Sequence, residues 1–251
     1  MPIELDPEGH ETKALLAYLG PLRGLRLLEI GCGDGRLTWR YARLAARVVG
    51  IDPHRGKIAR ARQDRPLKLR RKVTFQPLEL EQYAEFWARR PRPRPFDRAI
   101  LAWPLRQIPA EGMLYALKTI RSLLRPGGLL VDIHPTGDPP PIELLCDGQR
   151  HLLGYLQETD NFIEYGQADV ALSKADKRGL FAPDWQGTYP FASYFDTAAA
   201  LRQWLAEYWG DAIFDPAIEA RQQALLADQP PASPPRVILR EQVRITRLVA
   251  Q

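Results

Sequence analysis

Three glycines at alternate positions, Gly31, Gly33 and Gly35, follow the apolar run Leu27-Leu28-Glu29-Ile30, and an acid, Asp52, lies 21 residues beyond the first of them. A strand that turns sharply into a helix through such glycines brings backbone N–H groups and the positive end of the helix dipole up to a ligand. A carboxylate at the end of the next strand can accept hydrogen bonds from both hydroxyls of a ribose. Together these features call for an adenosine-type cofactor. A dinucleotide site uses G-x-G-x-x-G to seat a pyrophosphate, whereas here the third glycine comes one residue early, as G-x-G-x-G. Cys32 fills the variable position of the loop and reads as packing.

For the loop and the acid to converge, the flanking segments must be ordered in a particular way. The pattern predicts a helix over His10 to Leu19, a strand over Arg26 to Ile30, a helix over Leu37 to Leu44 and a strand over Arg47 to Asp52. Helices over Gly56 to Gln63, Gln82 to Ala88 and Glu111 to Leu124 then alternate with strands over Val73 to Phe75, Phe96 to Ala102 and Leu129 to His134. Gly127 and Gly128 are expected to supply the stop of the third of these helices. Strands that alternate with helices and are apolar on both faces imply a parallel sheet covered on both sides, so the fold class is α/β, doubly wound.

After the fifth strand the rhythm breaks, and residues 136–196 hold nine aromatics. The chain is therefore divided into a core over 1–135, an insertion over 136–196 that reads as a substrate lid, and C-terminal helices and a last strand over 197–251 that complete the core. Asp196 is the expected cap of a helix from Thr197 to Trp209, another helix is expected from Ala217 to Leu226, and Val237 to Thr246 alternates as a long strand. The position of a sixth strand is left open.

The glycine spacing resembles that of the class I S-adenosylmethionine-dependent methyltransferases. Glu29 before the loop, Asp52, the Phe96-Asp97 strand and the Leu124-Arg125-Pro126-Gly127-Gly128-Leu129 exit match the same family in order, over roughly residues 10–135. The resemblance implies a Rossmann-like, mostly parallel sheet and S-adenosyl-L-methionine as cofactor. In the family, the carboxylate before the glycines orders the methionine end, the loop backbone contacts the amino acid portion and the second-strand acid grips ribose. Glu29, Gly31, Gly33 and Asp52 occupy those positions, and Cys32, Gly35, Pro53, Ala102 and Trp103 complete the implied set. For adenine recognition after the third strand, Glu79 with Leu80 is assigned, with Glu81 as the alternative.

Methyl transfer is an in-line displacement, so alignment and exclusion of water matter most and a general base only for some acceptors. His134 and Asp132 share a face of the fifth strand and form a candidate base with its orienting acid, or else a pair that satisfies its own hydrogen bonds. Trp103 is a candidate pocket wall or a packing residue. The segment Ala102-Trp103-Pro104-Leu105-Arg106-Gln107 resembles the small-molecule branch of the family, with Arg106 and Gln107 in place of two histidines. Arg106, Trp103, Tyr189 and Tyr194 are the expected acceptor contacts. The insertion's aromatics, among them Tyr155, Phe162, Tyr165 and Trp185, either roof an apolar pocket or form a core of their own.

Composition bounds the rest. The chain has 251 residues, 45% of them hydrophobic and 26% charged, an ordinary globular balance. Residues 54–98 carry a net charge of +9 against +5 for the whole chain, in clusters at Arg55–Lys72 and Arg89–Arg94. Such runs raise an RNA-methylating alternative, but both clusters precede strands and so sit at the edge opposite the active site. Cys32 and Cys146 have no zinc spacing, and no metal is expected. No apolar run approaches the ~20 residues that span a bilayer, and the first residues lack a secretory pattern, which gives the expectation of a cytoplasmic protein. The reading is thus methyl transfer to an O, N or C atom of a small, partly apolar metabolite. A non-catalytic cofactor-binding module is the remaining alternative, and the oligomeric state is left open.

Overall fold

Short leucine- and valine-rich runs, some closed by a glycine or an acid as at Gly31 and Asp52, become the strands of this chain, and segments between them with a buried face become its helices. The structure is a computed structural model and describes residues 4–103, 105, 108–159, 163–228 and 231–251. In chain order the elements are β1 (Glu4–Leu5), α1 (His10–Leu19), β2 (Arg26–Ile30), α2 (Thr38–Tyr41), β3 (Arg47–Ile51), α3 (Arg55–Gln63), β4 (Val73–Gln76), α4 (Leu80–Ala88), β5 (Phe96–Ala102), α5 (Ala110–Leu123) and β6 (Leu124–Pro135). There follow β7 (Pro141–Cys146), β8 (Gln149–Tyr155), β9 (Gln157–Glu158), α6 (Ile163–Lys177), β10 (Phe181–Phe195), α7 (Ala198–Tyr208), β11 (Ala212–Ile213), α8 (Ala217–Asp228) and β12 (Arg236–Ala250). Two compact units result. One holds Thr12–His134, Gln167–Gly187 and Arg244–Gln251, the other Met1–Glu11, Pro135–Gly166 and Thr188–Val243.

The first unit carries the parallel sheet. Its strand order is β10-β12-β6-β5-β2-β3-β4, and the block β6-β5-β2-β3-β4 is parallel throughout. The chain steps outward from β2 to β3 and β4, then returns to the other side of β2 for β5 and β6. The carboxyl ends of β2 and β5 therefore border the crevice where open α/β sheets take their ligands. Leu28, Ile30, Val49, Ile51, Leu101 and Leu130 pack against helices α4, α5 and α6 in one buried cluster. On α5 the buried positions Met113, Ala116, Leu117, Ile120 and Leu123 recur at helical spacing. Each fully buried large side chain of this kind contributes about 1.5–3 kcal/mol.

The expected glycine stop of α5 is corrected. The helix ends at Leu123, Leu124 is already extended, and Arg125-Pro126-Gly127-Gly128 opens β6. Pro126 explains this, because the residue before a proline is pushed out of the helical region and helices end ahead of it. Gly128 serves close packing instead: a Cβ there would meet the Arg125 carbonyl oxygen at 2.9 Å and that of Asp97 at 3.3 Å.

The second unit divides the chain differently from the expected 136–196 lid. It contains an antiparallel hairpin of β7 and β8 whose turn residues, Asp147 and Gly148, both have positive φ. Asp-Gly is the dipeptide that such a turn demands. The opening residues of β12, Arg236 to Leu239, pair with β7, β1 pairs with the end of β10, and Phe195, Leu201, Leu205, Ile218 and Leu239 form the unit's own core. The 167–187 segment belongs to the first unit instead, because Ala168, Ala171, Leu172 and Ala175 of α6 are buried in the parallel-sheet cluster. The expected Asp196 cap is likewise corrected. Thr197 caps α7, its side chain accepting the Ala200 N–H, and Asp196 pairs with Arg236 at 2.6 Å.

Candidate functional site

Where β2 ends, the chain leaves the sheet beside the end of β3, and the loop's amides find partners at once. The N–H groups of Gly31 and Cys32 donate to the Ile51 carbonyl at 2.8 and 3.0 Å, and that of Gly33 donates to Asp52 Oδ2 at 2.9 Å. The expectation of bare amides aimed at a ligand is therefore corrected for these three positions. The helix behind them, α2, spans only four residues and tightens into a 3-10 turn over Ala42–Leu44, so its dipole adds little.

The acids around the loop hold it in shape. Glu29 is buried, and its Oε2 accepts the hydroxyls of Thr38 and, at 2.6 Å, Tyr41. These bonds tie β2 to α2 across the loop. Asp52 accepts the Gly33 N–H through Oδ2 and the His54 N–H through Oδ1 at 2.8 Å. A carboxylate has about four acceptor sites, and these two bonds take one on each oxygen. The Cys32 thiol is pushed up by burial first and then by the Glu29 and Asp52 carboxylates, which keeps it protonated. A Cβ on Gly50 would stand 2.9 Å from Cys32 Sγ and 2.7 Å from the Phe75 ring, so the glycine in β3 makes room for both.

A cavity of about 220 Å³ opens at this point, lined by Glu29, Gly31, Cys32, Gly33, Asp34, Arg36, Leu37, Asp52, Lys57, Ala102 and Trp103. It brings together most of the residues expected to hold the cofactor. Gly35 stands behind the wall with φ +87°, where a Cβ would meet the Trp39 ring at 2.9 Å. Pro53 is exposed. Glu79 caps α4 in a reciprocal capping box with Gln82, and Leu80 is buried in the core cluster. Neither is among the residues lining the cavity, and Glu81 is not either. Trp103 has a left-handed backbone, φ 73°, held by its N–H donating to Ile133 at 2.7 Å. Such strain in a non-glycine residue costs about 1–3 kcal/mol and gathers at functional sites. Arg106 and Gln107 lie outside the described residues.

Asp34 belongs to the glycine loop itself, whereas Arg36, Leu37 and Lys57 are wall residues beyond those expected from the sequence. Lys57 had a signal: it sits in the first turn of the helix that follows Asp52, and His54, which caps that helix, accepts the Lys57 N–H. A first turn starting from a strand's carboxyl end faces the crevice.

His134 and Asp132 are brought together, but within a closed charge network. His134 Nδ1 lies 2.6 Å from Asp132 Oδ2, and its Nε2 lies 3.4 Å from Asp169 Oδ1 on α6. Asp169 in turn pairs with Arg244 on β12. Burial alone would push the imidazole down, yet Asp132 and then Asp169 outweigh it and raise His134 to about 9. His134 is 1% exposed, and a cationic ring between two carboxylates has no lone pair with which to take an acceptor's proton. That departs from the expected base. Asp169 and Arg244 line a second cavity of about 540 Å³ with Leu172, Trp185, Gln186 and Thr246. The larger volume lies away from the glycine loop, whereas the smaller one is lined by the loop and by Asp52.

The aromatics of the 136–196 segment are mostly spoken for. Trp185 stacks on Tyr18 with ring centroids 4.5 Å apart. Tyr194 donates its hydroxyl to Glu8 at 2.8 Å, Tyr189 is buried, and Tyr155 is half exposed. Phe162 lies outside the described residues. Asp6, Glu8 and His10 place one ligand-type atom each within 4.8 Å of one another, but Asp6 already caps α1 through the His10 and Glu11 N–H groups. Part of the basic cluster braces the sheet: Arg62 donates to Phe75, Arg65 to Val73, and Lys72 to Arg43 and Ala45. No helix among the described residues is long and apolar enough to cross a membrane.

Comparison with known proteins agrees with this geometry. Residues 27–128 match the family model described as a methyltransferase domain. A ubiquinone biosynthesis O-methyltransferase of Cereibacter sphaeroides is 29% identical over 170 residues, covering 66% of this chain and 64% of the relative. One of Azorhizobium caulinodans is 48% identical over 50 residues, covering 20% of this chain and 18% of the relative. The chain thus spans less than two thirds of the length of either. Among solved structures, the N-methyltransferase NodS from Bradyrhizobium japonicum matches with a TM-score of 0.51 at 15% identity, covering 96% of this chain and 94% of that one, which speaks to the fold.

Proposed function

We propose that this chain, which belongs to the class I S-adenosylmethionine-dependent methyltransferases, is a cytoplasmic enzyme that transfers a methyl group to an O, N or C atom of a small, partly apolar metabolite. The observation that carries the reading is the state of the loop amides. A dinucleotide or nucleoside triphosphate needs free N–H groups for its phosphates, whereas the amides of Gly31, Cys32 and Gly33 are engaged. An adenosyl ligand without phosphate fits such a loop. Asp52 retains acceptor capacity on both oxygens for the ribose hydroxyls, and the wall offers Arg36 and Lys57 alongside Glu29 and Asp34. A zwitterionic amino acid end meets both signs there.

When bound, S-adenosylmethionine supplies a methyl group on an electrophilic sulfonium. Glu29 and Asp52 then act by fixing the loop, and the Ala102-Trp103 turn supplies a rigid wall against which donor and acceptor are aligned. His134 and Asp132 serve as positioning residues that hold β6 to α6. The relatives named as ubiquinone biosynthesis O-methyltransferases support an oxygen acceptor on an apolar ring. Calorimetric titration should show S-adenosylmethionine binding with neither NAD nor ATP competing, and S-adenosylhomocysteine should form with phenolic acceptors. Binding of a dinucleotide in its place overturns the cofactor, and binding without turnover on any small acceptor overturns the enzyme.

A further inference from the structure

Because β2, β3, β4, β5 and β6 are parallel, the segments that precede them all meet at one edge of the sheet, opposite the cofactor cavity. Arg26 opens β2 and Arg47 opens β3. Arg90 follows α4, and Arg94 precedes β5 by two residues. The other three lie close enough to act on Arg26, which is lowered by partial burial first and then by Arg47, with Arg94 and Arg90 adding to it against Tyr83. Among the described residues none of the four has a carboxylate within ion-pair distance. On the adjoining α4 and β5, Glu85 is engaged by Arg89 and Asp97 by Arg125. Arg90 instead lies over the Phe86 ring at 4.9 Å and Arg26 over Phe96 at 5.5 Å. The loop carrying Pro91, Pro93 and Pro95 bends back onto α4, where the Trp87 indole donates to the Arg94 carbonyl, and leaves Arg92 and Arg94 exposed.

The same edge exposes aliphatic and aromatic side chains among the cations. Leu67 is 73% exposed on the turn between Arg65 and Lys68, followed by Arg70 and Arg71, while Leu44 and Phe86 are each 44% exposed. Like charges gathered without partners cost folding energy unless an anion relieves them. Apolar tips standing among them have no role in phosphate contact, whereas they suit the boundary between headgroups and acyl chains.

We propose that this edge docks on an anionic lipid surface, with the arginines meeting phosphate headgroups and Leu67, Leu44 and Phe86 entering the interface. The docking is peripheral and rests on one leaflet. It leaves the cofactor cavity, at the other ends of the strands, facing away from the bilayer plane. The inference stands independently of the acceptor's identity.

The test is co-sedimentation of the full chain with vesicles of phosphatidylcholine alone and of phosphatidylcholine containing about a third phosphatidylglycerol. Binding is expected only to the anionic vesicles and should vanish at about 1 M salt, where the Debye length falls to ~3 Å. Replacing Arg90 and Arg94 together by Gln should weaken it on the order of 30-fold, and Leu67→Asp roughly 10-fold. Unchanged calorimetric affinity for S-adenosylmethionine shows that the variants are folded. Absence of binding to anionic vesicles, or equal binding to neutral ones, overturns the proposal. So does salt-sensitive retention of an RNA transcript by a protein that ignores both vesicles, which would assign the edge to nucleic acid.

Discussion

Asp52 carries the most chemistry of any single residue, because one side chain both shapes the loop, through the Gly33 N–H, and holds acceptor sites toward the cavity. Hydrogen bonds to charged groups contribute about 1.5–3 kcal/mol. Asp52→Ala should therefore weaken S-adenosylmethionine binding by at least about 10-fold in calorimetric titration, and affinity within about twofold of the parent sinks the assignment. Glu29 and Asp52 were legible in the sequence because their positions follow from strand ends. Glu79 and Leu80 were assigned by resemblance, and the structure gives them a cap and a core position instead. Arg36 and Lys57 were passed over because surface-type residues reveal their direction only when the helices they sit on are docked.

At the scale of elements, the alternation of strand and helix through β6 was readable, since most strands are largely apolar and the longer helices bury one stripe. Element ends were less so, because they turn on which side chain reaches which amide. Thr197 and Asp196 are adjacent and both suit a cap by type, yet only Thr197 bonds to the Ala200 N–H. Thr197→Ala should cost about 1 kcal/mol in urea unfolding. Asp196→Ala removes only an exposed ion pair with Arg236 and should cost under ~0.5 kcal/mol. The reverse order of effects would restore Asp196 as the cap. The β7–β8 hairpin was within reach of the sequence: Asp147-Gly148 marks its turn, although the aromatic count drew attention to a lid.

Across the parallel-sheet unit, the chain Asp132, His134, Asp169 and Arg244 joins β6, α6 and β12. His134 is raised from its ordinary 6.5 to about 9, so its contribution to stability is complete below pH 6.5 and is lost as the pH rises through about 9. Thermal unfolding of the parent should lose roughly 1–3 kcal/mol more than His134→Gln between those limits. Parallel pH profiles for the two proteins would show that the ring carries no extra proton in the folded state. By itself the sequence determined the five parallel strands, the glycine loop, its acid and hence the cofactor class, because strand periodicity and loop spacing are local properties of the chain. Only the tertiary structure decided that the loop amides are engaged, that His134 is buried between two acids, and that no carboxylate among the described residues pairs with Arg26, Arg47, Arg90 or Arg94. Each of these depends on residues far apart in the chain, and electrostatic and hydrogen-bonding partners are chosen by distance in space.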